Sequence, residues 1–251
     1  MLGPGSFLPA EGGKPIIEPS ELTPIPWLRG DAAILVMTPR MLKLAESMFE
    51  VRPKKCGVPA CLKRAVTSAE GREIPILLGY FGAPAAAMLL EILIASGVRG
   101  ILFLGEAGSI SRSARIGDVV LPEWAIREEG TSYHYLPPEE LPRPDPDLLE
   151  TFERSLRSLG VRPIRGGVWT TDAPFRETER KVEEYASRGA LAVEMECSAL
   201  MAVASFRKVS LAAGLAITDE LFEGTWRPGF RKEGVKRARR ALIEAAVRTL
   251  I

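Results

Sequence analysis

Hydrophobic residues fall along this chain in short runs, separated by longer stretches in which apolar positions recur three or four residues apart. The run AAILVMT at 32–38 fits a buried strand, Pro39 sits where a helix can begin, and MLKLAESMF carries helical spacing. The same grammar repeats, with a strand at 74–80, a turn at Gly82, a helix at 83–96 and a strand at 100–104. Further strands are predicted at 118–121, 167–171, 191–194 and 211–218, and helices at 147–158, 177–187, 197–207 and 231–250. Such alternation predicts a single α/β domain whose central, mostly parallel (mixed) twisted sheet is flanked by helices.

Two stretches fall outside this grammar. Residues 1–30 hold six prolines and five glycines with little apolar periodicity, which predicts an extended arm lying over a domain that spans 31–251. Between 136 and 147, five prolines and several acids preclude regular structure and predict a mobile rim. No internal repeat, heptad run or low-complexity tract points to a scaffold.

Composition narrows the partners. With 251 residues, 46% of them hydrophobic, the chain can bury one extensive core. Its 33 Lys and Arg against 32 Asp and Glu create no net field to recruit nucleic acid or an anionic membrane, so small molecules and further copies of the chain are the expected partners. The opening MLGPGSFLPAEGGK has no basic segment followed by an apolar stretch. The most apolar segment, 83–98, is interrupted by Glu91 and falls short of the roughly 18 residues that a membrane span needs. A cytoplasmic location is the expectation. Cys56, Cys61, Cys197 and the single His134 are too few and too scattered for a zinc site, and no metal or organic cofactor is expected. A Cys56–Cys61 bridge stays open beside the reading of unpaired thiols.

Phosphate-loop, GxSxG and HExxH signatures are absent. The strongest local signal is AVEMECSALMAVA at 192–204, where a strand ends in Glu194-Met195-Glu196 and a helix begins at once. Ligands of parallel α/β sheets gather at the carboxyl ends of strands. A carboxylate there can accept two hydrogen bonds from a sugar diol, and a neighbouring Met can lie against the sugar's apolar face. One of the two Glu is expected to be structural.

This segment resembles the ribose-binding signature of the nucleoside phosphorylase-I superfamily, which comprises purine and uridine phosphorylases and related nucleosidases. The likeness runs in order from about Ala33 to the end. LFLGEAGSI (102–110) and IGDVVLP (116–122) resemble the family's glycine-rich phosphate strand and Gly-Asp-Val strand, WTTDAPF (169–175) its base-pocket segment, and AITDEL (216–221) its Ser/Thr-Asp strand end. The resemblance implies that Glu196 accepts the ribose 2′ and 3′ hydroxyls and that Met195 lies beneath the sugar. It makes Asp219 the acid that protonates N7 of a departing purine, a role that typically contributes about 10²–10⁴-fold; a helix N-cap is the structural alternative. Trp169 or Phe175 would stack on the base, and Arg180 stands where uridine-specific members place a base-reading Arg. Thr178 replaces the Gln of the uridine enzymes, which favours purines. His134, with Tyr133 and Tyr135, lies where many members reach into a neighbouring subunit's site, so a homo-oligomer, from dimer to hexamer, is implied.

The phosphate site departs from the family pattern. Of the Gly-Asp-Pro-x-Arg turn, Val36-Met37-Thr38-Pro39-Arg40 keeps only the Arg, and Phe103 and Glu106 stand where an Arg and a Ser or Thr would bind phosphate. Like charges about 4 Å apart repel by roughly 4 kcal/mol at an effective dielectric near 20. Glu106 facing a dianion must therefore be neutralised by an Arg or protonated. Gly105 and Gly108 allow backbone amides to approach an anion, and Arg40, Arg112 and Arg115 are sources of charge. The resulting expectation is a nucleoside phosphorylase that cleaves a purine ribonucleoside with phosphate as co-substrate. Alternatives are a phosphate-independent nucleosidase with Glu106 as base, a uridine phosphorylase, and a catalytically silent nucleoside-binding protein.

Overall fold

The computed structural model describes residues 13–21, 25, 28, 31–53, 63–67 and 73–251. The first unit follows from local chemistry. β1 (Ala32–Val36) ends at Thr38, whose side chain accepts the Met41 amide at 3.2 Å and so caps α1 (Pro39–Met48), with Pro39 fitting the first turn. Next come β2 (Val51–Pro53), β3 (Lys63–Thr67) and β4 (Glu73–Leu78), the first two an antiparallel edge addition that the hydrophobic pattern does not predict. Gly82, at φ +91°, turns the chain into α2 (Ala83–Ala95), a backbone geometry that favours glycine.

β5 (Gly100–Ser109) and β6 (Val119–Glu128) are longer than expected because β5 is paired on both edges and β6 continues along β7. Asp145 accepts the Leu148 amide at 2.8 Å and starts α3 (Pro146–Ser158). There follow β7 (Ile164–Thr171), α4 (Glu179–Ser187), β8 (Ala190–Glu194), α5 (Cys197–Arg207), β9 (Ser210–Glu220), the short β10 (Arg227–Pro228) and α6 (Glu233–Leu250).

β1 lies parallel between β4 and β5, and β5 runs parallel to β9. β6, β7 and β8 are mutually parallel but meet β9 and β5 in antiparallel fashion. Strands β5, β9, β6, β7 and β8 thus close on one another in a ring, and the mixed sheet is not an open plane. Alternation along β5 sends Ile101 and Phe103 into the core shared with α2 and α5, and Leu102 and Leu104 into the core shared with α1, α3 and α6.

Phe103 is fully buried, so this departure from the phosphate pattern is a core residue. In the N-terminal stretch, Ile25 and Leu28 are buried against the first core and the Ile25 amide donates to Ser96 Oγ at 3.0 Å. The proline-rich segment after Leu136 is tied down by Arg127, whose guanidinium donates to the carbonyls of Leu136, Pro137 and Glu140, and it borders no part of the main cavity described below. The proposed Cys56–Cys61 bridge lies outside the described residues, and Cys197 is a buried free thiol. Among the described residues no helix is long and apolar enough to cross a membrane, and no cluster of His, Cys, Asp and Glu is arranged to hold a metal.

Candidate active site

The carboxyl ends of β5, β8 and β9 and the start of α1 open onto a cavity of about 900 Å³. Its wall includes Arg40, Glu106, Gly108, Met195 and Asp219, five residues that the sequence singled out from four separate segments. Phe175 also contributes and is 99% exposed, so it stands at the rim. Phe81, Trp226 and Phe230 add rings that the sequence reading did not include.

Two residues apart, Glu194 and Glu196 would share one face of a strand; they diverge because β8 ends at Glu194 and Glu196 is already the N-cap of α5. Glu194 accepts from Thr170 Oγ1 and from the amides of Glu196 at 2.7 Å and Cys197 at 2.8 Å, so it stitches β8 to the start of α5. The Glu196 carboxylate instead accepts the Gly82 amide at 2.7 Å, at the start of α2. Glu194 borders the cavity, whereas Glu196 lies one step behind it, beside the turn that carries Phe81. Burial raises both carboxyls, and for Glu196 burial, reinforced by the Glu194 charge, pushes the pKa to about 8.

Asp219 lies within β9, so it is not a helix N-cap. Its two oxygens accept from Thr218 Oγ1 at 2.8 Å and Trp226 Nε1 at 2.9 Å. Burial nevertheless raises its pKa, the direction an acid catalyst needs, while these two bonds oppose the rise. Gly108 is required beside it: a Cβ there would meet Leu221 at 2.5 Å and the Asp219 carboxylate at 3.0 Å. Glu177, which the sequence reading passed over, also faces the cavity, and burial, with the Asp219 charge next, raises its pKa to about 7. Its signal was faint, a Glu two residues beyond Phe175 in a segment read for aromatics.

Glu106 is neutralised by a residue the sequence did not reveal. Arg239 of α6, buried to 2% exposure, grips it with Nε to Oε1 at 2.9 Å and Nη2 to Oε2 at 2.8 Å, and Thr38 Oγ1 donates to Oε1 at 2.9 Å. The available signal was periodicity, because Arg239 falls on the same helical stripe as the buried Val235, Leu242 and Ala246.

Other expectations fall away from the cavity. Trp169 is fully buried, donates to Glu128 at 2.8 Å and packs on Tyr185 at 4.7 Å, so it is a core residue with no face for a base. Gly105 is confined by Leu215 and Phe103 within the sheet, and Arg180 is an exposed residue of α4; neither lines the cavity. Arg112 and Arg115 are turned to Glu223, Glu220 and the Phe222 ring. Tyr133 donates to the Arg127 carbonyl, and His134 and Tyr135 line a second cleft of about 740 Å³ beside α2.

A curled α/β sheet that gathers Asp219, Arg40, Glu194 and Met195 around one cavity at its strand ends has the layout of a small-ligand site. A sequence profile of the phosphorylase superfamily matches residues 31–251. The chain is 27% identical to a guanosine phosphorylase of Halorubrum lacusprofundi over 71% of this chain and 77% of that protein. It is likewise 27% identical to a DeoD-type purine nucleoside phosphorylase of Bacillus cereus over 62% of this chain and 67% of that protein. Among solved structures, its fold is similar to purine nucleoside phosphorylase from Toxoplasma gondii in complex with immucillin-H, with a TM-score of 0.81 at 19% identity over 92% of this chain and 95% of that one. It is also similar to uridine phosphorylase from Vibrio fischeri, with a TM-score of 0.78 at 19% identity over 90% of this chain and 94% of that one. The chain belongs to the phosphorylase superfamily, and its enzyme class is the glycosyltransferase of the nucleoside phosphorylase type.

Proposed function

We propose that this enzyme cleaves the N-glycosidic bond of a purine ribonucleoside with phosphate, releasing the base and ribose 1-phosphate. The observation that carries this reading is the half-buried Asp219, its pKa raised by burial, in the same cavity as Met195, Arg40 and Glu106. The sugar would rest on Met195, with Glu196 accepting from its diol through the carboxylate oxygen that Gly82 leaves unused. As the C1′–N9 bond lengthens and the ribose gains positive character, Asp219 gives its proton to N7 and a phosphate oxygen bonds to C1′. Glu177 supplies a second carboxyl that can donate to the base edge near neutral pH. Uridine offers no N7 to protonate, so Asp219 favours purines.

Relatives named guanosine phosphorylase and purine nucleoside phosphorylase support a nucleoside substrate. We further propose that the enzyme is a cytoplasmic homo-oligomer whose His134 segment serves a neighbouring site. A panel of nucleosides, each with and without phosphate, tests the reading. Purine release exceeding uracil release, with ribose 1-phosphate as the sugar product, is expected. Free ribose would instead indicate hydrolysis, and absence of any base release would indicate a binding protein.

A further inference from the structure

The Glu106 carboxylate accepts from three donors that have further anchors of their own. Thr38 is held by capping α1, and Arg239 by burial and by a hydrogen bond from Nη1 to the Phe230 carbonyl at 3.0 Å. Glu106, by contrast, ends at the wall of the open cavity. An Arg fork with an adjacent hydroxyl at a helix start is a donor set for a tetrahedral dianion as well as for a carboxylate. Behind it, α1 and α6 form a second cleft of about 420 Å³, to which Arg40, Lys43, Lys236, Arg237, Arg239 and Arg240 contribute against the single acid Glu233. Arg40 and Glu106 line the main cavity while Arg40 and Arg239 line this basic cleft, so the ion pair stands where the two meet.

We propose that Arg239 and Thr38, fed by the basic cleft between α1 and α6, form the phosphate-binding site, and that Glu106 is an internal anion which phosphate must displace. The inference rests on the reading of phosphate as co-substrate. It assigns the anion site to a residue of α6 and explains how a chain with Phe103 in its core retains an Arg for this purpose. The carboxylate has to leave the fork before phosphate enters, which makes saturation demand high phosphate.

Two measurements test it with inorganic phosphate as the probe and matched ionic strength as the control. In Glu106→Ser, Arg239 loses its counter-ion, so the melting temperature should fall in phosphate-free buffer and recover as phosphate is added. In Glu106→Ser combined with Arg239→Met the recovery should vanish. The half-saturating phosphate for base release should fall tenfold or more in Glu106→Ser and rise severalfold in Arg237→Ala/Arg240→Ala, with the nucleoside KM little changed in the latter. Failure of phosphate to restabilise Glu106→Ser, or equal recovery in the double variant, would overturn the proposal. So would wild-type turnover indifferent to phosphate and abolished in Glu106→Ser. The melting experiment needs no turnover, so loss of base release in every protein would sink the functional reading while the anion site is still judged on phosphate-dependent recovery.

Discussion

Glu196 and Asp219 answer to different measurements. Glu196→Ala should lower kcat/KM by roughly 10–10²-fold, because two hydrogen bonds from the diol to a carboxyl that is largely protonated near neutral pH, each worth about 0.5–1.5 kcal/mol, are lost. Unchanged activity would remove Glu196 from the ribose site. Asp219→Asn keeps the Thr218 and Trp226 neighbours but not the proton, so it should lower kcat and kcat/KM together by about 10²–10⁴ for purines. Equal slowing of binding alone would contradict its role as the acid.

Glu196 also sets a pH dependence of stability. Its carboxyl titrates at about 8 when folded against an ordinary 4.5, so between those values the folded state holds the extra proton. Stability from this group is therefore full below about 4.5 and declines as pH rises towards 8, by at most about 1.4 kcal/mol per pH unit. Glu196→Gln should gain on wild type in melting experiments as pH is raised from about 5 to about 8. A constant difference across that range would show that the buried carboxyl does not titrate there.

At the scale of elements, buried strands announced themselves as apolar runs and Pro39 marked a helix start, whereas Pro146, read as part of a loop, proves to open α3. The same cues failed where burial is two-sided. Trp169 sits in a stretch of β7 that is buried on both faces, so alternation could not distinguish a ligand face from a core face. β2 and β3 are short edge strands whose pairing depends on β4, a partner that local pattern does not encode. Arg239 was hidden among the Arg and Lys of α6, and its partner lies 133 residues away in sequence. Its removal alone, as Arg239→Met, should destabilise the fold by about 1–3 kcal/mol by leaving Glu106, part-buried at the cavity wall, without its cation, a loss that denaturant titration would register. Stability within about 1 kcal/mol of wild type would mean that solvent reaches the carboxylate freely.

For the whole molecule, ring closure by β5, β9, β6, β7 and β8 brings segments as distant as Thr38 and Trp226 onto one cavity. The ordered motifs from 102 to 221 made that convergence legible, because each falls at or beside a strand end. Their side-chain directions were not legible, and they separated Glu194 from Glu196 and Gly105 from Gly108. Met88 of α2 and Phe206 of α5, 49% and 44% exposed, flank the cleft that holds His134 and Tyr135. Apolar exposure around that cleft fits a contact between copies. Sedimentation should find an oligomer, and Met88→Glu should shift it towards monomer with loss of activity. A monomeric and fully active wild type would separate catalysis from assembly.

The hydrogen bond from Trp226 to Asp219 makes the state of this carboxyl optically visible. Its indole is 62% exposed yet its N–H is held by the carboxylate, so the ring senses both water and the charge on Asp219. Protonation of Asp219 or arrival of a base should alter the Trp226 emission, giving a label-free signal from the reacting end of the cavity. In Trp226→Phe that signal should disappear while the buried Trp169 continues to report on the fold.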